Sequence, residues 1–191
     1  MNQQSFLILH GLGGSGQDHW QTWLAKELAG RNYHVSYPVF STFDSPNKEV
    51  WLQELDAAMD LLPKHLPLTV VTHSLGSIIW LHYAARLNKK IANKAILVAP
   101  PSPKVILSEA KSFFPVPLDR RALSLAAEET LFIHSSNDPY CSLKDADLYK
   151  NMGLSSITFP NMGHINPASG YGRWEWILDQ CLMEKRSAVG V

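Results

Sequence analysis

Cysteine is scarce in this chain. Cys141 and Cys181 stand alone, without C-x-x-C or metal-ligand spacing, so neither a disulfide framework nor a thiol-based zinc site is expected. Two isolated thiols suit a reducing compartment. Long hydrophobic runs are missing too. The first, Phe6 to Leu9, is far too short for a signal peptide or a membrane span, and the chain reads as a cytoplasmic protein. Excess charge of either sign is absent: the formal net charge is zero and no basic run exceeds Lys89-Lys90. Nothing therefore recruits nucleic acid or an anionic membrane. There is no internal repeat and no low-complexity linker. With 46% hydrophobic and 18% charged residues the composition is that of a globular protein. Its 191 residues fit one domain, 1–191, with a core that needs no staples.

What is present is an alternation. Short apolar, β-branched runs recur at Ser5–Leu9, Tyr33–Tyr37, Leu68–Val71, Ala95–Val98, Thr130–His134 and Ile157–Phe159. Most end in Gly, Pro, Ser or Asn, as strands do. Between them lie patterns of helical period at Gln17–Ala29, Asn47–Leu62, Ser77–Leu87, Leu143–Asn151 and Arg173–Cys181,. Alternating strands and helices imply right-handed crossovers and an open, doubly wound α/β sheet of about six mostly parallel strands. One connection is long. Pro100 to Glu129 contains Pro100-Pro101-Ser102-Pro103 and Phe113-Phe114-Pro115-Val116-Pro117, while Asp119–Glu128 has the composition of a crossover helix. The proline-bracketed part reads either as a lid or as an irregular crossover packed on the sheet.

The stretch richest in chemistry is Thr72-His73-Ser74-Leu75-Gly76, between a buried strand and an apolar helix. A serine among small residues at a sharp strand-to-helix turn is a nucleophile elbow. The turn lifts its hydroxyl above the sheet and aims the N–H of Leu75 at a developing oxyanion. Thr72 stands where the usual G-x-S-x-G has its first glycine. Serine needs a base, and the base needs an orienting acid. In sheets with such an elbow these follow in the order acid, then histidine. His164 lies in Gly163-His164-Ile165-Asn166, just past the last strand. Of the other histidines, His10 and His73 belong to motifs of their own, and His134 falls within a strand and faces packing. His82 sits on the elbow helix, and His19, His34 and His65 precede the serine. Asp138, in Asn137-Asp138-Pro139-Tyr140, stands beyond the carboxyl end of the fifth strand, where open α/β sheets place their sites. Taken alone, Asn-Asp-Pro would be turn chemistry. Asp145 and Asp147, in the following helical pattern, are the weaker alternatives.

The loop His10-Gly11-Leu12-Gly13-Gly14-Ser15-Gly16 offers the Leu12 N–H as second oxyanion donor. It also satisfies G-x-G-x-x-G, the dinucleotide-binding turn. That reading lacks its acidic ribose ligand, because the second strand ends in Tyr37-Pro38-Val39-Phe40,. A nucleoside-triphosphate loop fails as well, since Gln17-Asp18 follows Gly16 in place of Lys and Ser/Thr. No cofactor and no metal is therefore expected. The six tryptophans read as packing residues, although His19-Trp20, beside the glycine loop, could instead line a cleft.

Together, His10-Gly11-Leu12-Gly13-Gly14 with Asp18-His19-Trp20, the elbow, Asn137-Asp138-Pro139-Tyr140-Cys141-Ser142 and Gly163-His164-Ile165-Asn166 resemble a known pattern. It is that of the small, nearly cap-less α/β-hydrolase family typified by retinoblastoma-binding serine hydrolase and its bacterial relatives. The resemblance runs from Phe6 to about Trp176. It implies an α/β-hydrolase-like three-layer sandwich with minimal or no cap, and triad roles for Ser74, Asp138 and His164. Members also replace the first elbow glycine, as Thr72 does here. The expected activity is esterase-like hydrolysis of a small-molecule acyl ester, thioester or amide, with Leu12 and Leu75 N–H groups holding the oxyanion. A protein-interaction module that keeps the fold with little catalysis is the alternative, and no protein partner is readable. Short acyl groups are expected, walled by Phe113 and Phe114.

Overall fold

β1 (Ser5–Leu9) shows how the layers arise. All five residues are buried, yet Phe6 and Ile8 join one hydrophobic cluster while Leu7 and Leu9 join another. This is the period-two alternation of a strand covered on both faces. The same split recurs in β4 (Ala92–Val98), where Ile96 and Val98 face one way and Ala95 and Leu97 the other. With β2 (His34–Ser36), β3 (Leu68–His73), β5 (Ala127–Ser135) and β6 (Ser155–Phe159), these strands form one six-stranded sheet in the order β2-β1-β3-β4-β5-β6. Every pairing is parallel. The computed structural model describes residues 4–105 and 107–183. Among them no helix is long and apolar enough to cross a membrane.

α1 (Trp20–Gly30) and α6 (Glu175–Leu182) cover one face through Trp20, Leu24, Leu28, Ile177 and Leu178. α2 (Lys48–Asp60), α3 (Leu75–Ala84), α4 (Arg120–Ala126) and α5 (Leu143–Lys150) cover the other. Helix starts are set by caps. Asn47 accepts from the N–H groups of Glu49 and Val50, and Asp119 from that of Ala122, each satisfying donors that have no partner within the helix. α4 is shorter than its composition predicts. The chain turns straight from Ala126 into β5, where Ala127 pairs with Ala92 and Glu129 with Lys94.

The long connection after β4 is tied to the body of the protein. Its kinked 3-10 segment Ser108–Phe113 puts Phe113 edge-on to Trp51 of α2, with ring centroids 5.2 Å apart. The Phe113 carbonyl lies 2.7 Å from His82 Nε2 on α3. Ser112 Oγ accepts from the Lys48 N–H, and Tyr149 of α5 donates to the Pro101 carbonyl. Of the two readings of this stretch, the packed crossover describes these contacts.

His134 is the least comfortable residue in the core. It is buried against the stacked rings of Phe132 and Tyr149, and neither ring nitrogen has a partner among the described residues. Burial, with Lys150 adding repulsion, pushes its pKa down to about 4; burial and neighbouring imidazoles do the same to His19. The unfolded chain takes up these protons near pH 6.5, the folded one only near 4. Stability is therefore complete above about pH 6.5 and falls as pH drops from there toward 4, by up to ~3 kcal/mol per group. Replacing His134 with leucine, an apolar side chain of similar bulk, is expected to stabilise the protein by ~1–3 kcal/mol and to flatten the acid slope. Thermal unfolding at pH 7.5, 6 and 5 tests this; an unchanged slope with lower stability would show that the imidazole is satisfied.

Candidate active site

The helices that follow β1 and β3 leave on opposite faces of the sheet: α1 packs on one side and α3 on the other. Adjacent strands whose connections diverge in this way open a crevice at their carboxyl ends. The loops after β1, β3, β5 and β6 meet there.

Ser74 follows β3 with φ 53° and ψ −123°, a left-handed conformation that is unfavourable for any residue with a side chain. It is held by its own N–H bonding to the Val98 carbonyl and its carbonyl to the Ser77 N–H. Close packing explains why Gly76 of the elbow and Gly11 of the loop after β1 are glycine. A Cβ on Gly76 would sit 2.4 Å from the Leu9 carbonyl oxygen, and one on Gly11 would sit 2.8 Å from Ser74 Cβ. Thr72 has no such conflict. It is an ordinary buried strand residue whose hydroxyl is 2.7 Å from Ser77 Oγ, so the departure from glycine adds a tie between strand and helix. The N–H groups of Gly13 and Gly14 bond to Phe43 and Gly11 carbonyls, whereas those of Leu12 and Leu75 have no acceptor among the described residues.

His164 Nε2 lies 2.9 Å from Ser74 Oγ, and its Nδ1 lies 3.0 Å from both oxygens of Asp138. The carboxylate can only accept, so Nδ1–H donates to it and Nε2 is left to accept from the serine hydroxyl. Both side chains are almost fully buried, at 2% exposure for Asp138 and 8% for His164. The turn reading of Asp138 also holds: its Oδ1 accepts from the Tyr140 N–H, and that Asx turn steadies the carboxylate facing the imidazole. Asp145 and Asp147 are engaged elsewhere, with Ser142 and Lys104 and with Lys150.

Several positioning contacts were not foreseen. Asn137 Oδ1 accepts from the Gly163 N–H and from Ser135 Oγ, clamping the loop of Asp138 to the loop of His164. His73 Nε2 lies 2.9 Å from the His164 carbonyl, which fastens the elbow to the same loop. Ser169 Oγ accepts from the His164 N–H. Proximity to Asp138 was the only signal for Asn137.

Above Ser74 lies an open cleft of about 310 Å³, with Leu12, Leu107 and Tyr140 as its apolar walls and His19 and His73 among its polar ones. The volume is near the lower end for small-molecule sites. Phe113 and Phe114 are not among its walls. Phe113 is fully buried against Trp51 and Phe114 packs on the same core; of that connection, Leu107 reaches the cleft. Among the described residues no group of three or more His, Cys, Asp and Glu is arranged to hold a metal ion.

A serine on a strand–elbow–helix turn, with an imidazole and a carboxylate hydrogen-bonded behind it at the carboxyl edge of a doubly wound parallel sheet, defines the α/β-hydrolase class. Within it the chain belongs to the serine hydrolase family, whose model matches residues 6–182. Solved structures agree on the fold. The ydeN gene product of B. subtilis superposes with a TM-score of 0.81 at 22% identity, over 93% of this chain and 96% of that one. A YdeN-like hydrolase from Pectobacterium atrosepticum gives 0.73 at 21%, over 93% and 89%. The carboxylesterase CesB of Bacillus subtilis gives 0.63 at 11%, over 95% and 83%. No curated protein shows significant similarity to the chain.

Proposed function

We propose that the cleft hydrolyses small acyl esters, with thioesters and amides as chemically related substrates, through a covalent acyl-enzyme on Ser74. The observation that carries this reading is the continuous relay from Ser74 Oγ through His164 to Asp138, beside loops whose Leu12 and Leu75 N–H groups have no acceptor among the described residues. His164 Nε2 takes the serine proton as Oγ attacks the acyl carbonyl. The N–H groups of Leu12 and Leu75 hold the oxyanion, each donor being worth ~3 kcal/mol in the transition state. The imidazolium, stabilised by Asp138, gives its proton to the departing alcohol. Water then enters, His164 removes its proton, and the acid leaves Ser74 free.

A fluorophosphonate should label Ser74 stoichiometrically. A protein that keeps the fold only for binding would label slowly or not at all, and that outcome would overturn the reading. The cleft's size sets the acyl chain. Each methylene buried against Leu12, Leu107 and Tyr140 contributes ~0.8 kcal/mol, about fourfold in kcat/KM, until the wall ends. In a series of p-nitrophenyl esters, kcat/KM should rise over the first few carbons and level or fall beyond about eight. Replacing Leu107 with alanine should flatten the rise. Best turnover of long-chain esters would show that the acyl group lies elsewhere.

A further inference from the structure

We infer that His19 is a second functional imidazole of the cleft, a fixed hydrogen-bond donor to an oxygen carried on the acyl chain of the substrate. The inference rests on the reading of Ser74 as nucleophile and goes further by specifying the substrate class.

Helices are usually capped by Ser, Thr, Asp or Asn. α1 is capped by a histidine, whose Nδ1 accepts the Gln21 N–H at 3.1 Å. The lone pair of Nδ1 is thereby engaged, so the neutral ring carries its proton on Nε2. The ring is 5% exposed and packs 4.8 Å from His73 and 5.5 Å from Trp20, centroid to centroid. Gln21, two residues on from the cap, is itself anchored, donating to the Leu9 carbonyl and accepting from Ser15 Oγ. The imidazole is therefore rigid. It lines the cleft together with Ser74, and its Nε2–H has no acceptor among the described residues.

The neighbouring imidazoles are not free to play this part. His10 accepts the Phe40 N–H at Nε2 and directs Nδ1–H to the Gly11 carbonyl. His73 directs Nε2–H to the His164 carbonyl, and His164 is engaged with Asp138 and Ser74. Of the three imidazoles that line the cleft, His19 is the one whose ring N–H meets no acceptor among the described residues. Burial and the nearby rings, with a pKa pushed down to about 4, keep it neutral across the physiological range. A neutral N–H selects a carbonyl, ether or hydroxyl oxygen. His73 contacts both rings, 4.8 Å from His19 and 4.9 Å from His164 between centroids. His19 is thus set back from the imidazole that protonates the alcohol, and is assigned to the group retained on Ser74. The favoured substrates are short oxygenated acyl esters, such as keto or alkoxy acyl groups, over plain alkanoyl esters of equal length.

The test separates this donor from the helix cap. Asparagine caps α2 in this protein, so His19→Asn keeps a capping acceptor while withdrawing the ring N–H from the cleft. Wild type and His19→Asn are compared on p-nitrophenyl 4-oxopentanoate against pentanoate, and methoxyacetate against butanoate, with unfolding temperature as the check on folding. The preference for the oxygenated ester should fall about tenfold in the variant for at least one pair. Equal losses on both members of both pairs, or no loss, would overturn the inference. The affinity of the Ser74→Ala protein for the matching oxo and plain amides reads the same contact without turnover. Tighter binding of the oxo amide, reduced by His19→Asn, is expected. If fluorophosphonate fails to label the wild type, the hydrolase reading falls, and these affinities still decide whether His19 binds oxygen.

Discussion

Ser74→Ala is expected to lower ester hydrolysis by ~10⁶-fold in kcat, the scale on which removing the nucleophile acts in other serine hydrolases. Nothing else in the cleft can take its place. Cys141 follows Tyr140 directly but is buried, and burial pushes its thiol up to about 12, so it supplies no thiolate at neutral pH. The substitution should leave the fold intact. Alanine meets the same backbone penalty at φ 53° as serine, and among the described residues the hydroxyl bonds to His164 alone. Turnover of a p-nitrophenyl ester beside a thermal melt measures both. Activity above one part in about a thousand of wild type, with a native melt, would place the nucleophile elsewhere.

Asp138→Asn should be almost as severe, ~10⁴-fold in kcat if the relay behaves like the worked serine-protease template. The geometry gives the reason. Oδ1 of residue 138 must accept the Tyr140 N–H, so an asparagine there keeps its carbonyl on that side and turns its NH₂ toward His164. That amide, at the place of Oδ2 3.0 Å from Nδ1, opposes an Nδ1–H and favours the tautomer with the proton on Nε2, although Oδ1 also lies 3.0 Å from Nδ1. A protonated Nε2 cannot receive the proton of Ser74. Asp145→Asn is the control. That residue is engaged with Ser142 and Lys104 away from the relay, and its substitution should change kcat less than twofold. A harmless Asp138→Asn beside a crippling Asp145→Asn would reassign the acid.

The sheet was legible because each strand is a short apolar run closed by a turn residue, and β1 matches its predicted bounds, Ser5–Leu9, residue for residue. Boundaries failed where one element passes into the next without a loop. β5 begins at Ala127 because α4 ends at Ala126, and propensity cannot divide an Ala-Ala-Glu-Glu stretch. The positions proposed for the relay stand out in the sequence for a related reason: Ser74, Asp138 and His164 lie in the turn and loops that follow β3, β5 and β6, which motifs mark. The cleft wall was not legible. Phe113 looks like a free aromatic in a proline-rich loop until Trp51, from a helix more than sixty residues earlier in the chain, is seen against it. Leu107 carries no local pattern at all. His19 was left between packing and cleft, and it belongs to both: Nδ1 caps a helix while the ring borders the cleft.

The order of the strands also bears on how the molecule comes into being. β1, β2 and β3 form one contiguous end of the sheet, and β4, β5 and β6 are then added one after another along the opposite edge. A chain emerging from the ribosome can therefore assemble its sheet in the direction of synthesis, each new strand finding its neighbour already in place. The elbow is translated early, whereas Asp138 and His164 follow the last two strands. On the proposed mechanism, a nascent chain that has reached only Leu154 holds the serine without its base, so reactivity would arrive with the final strand rather than with the nucleophile.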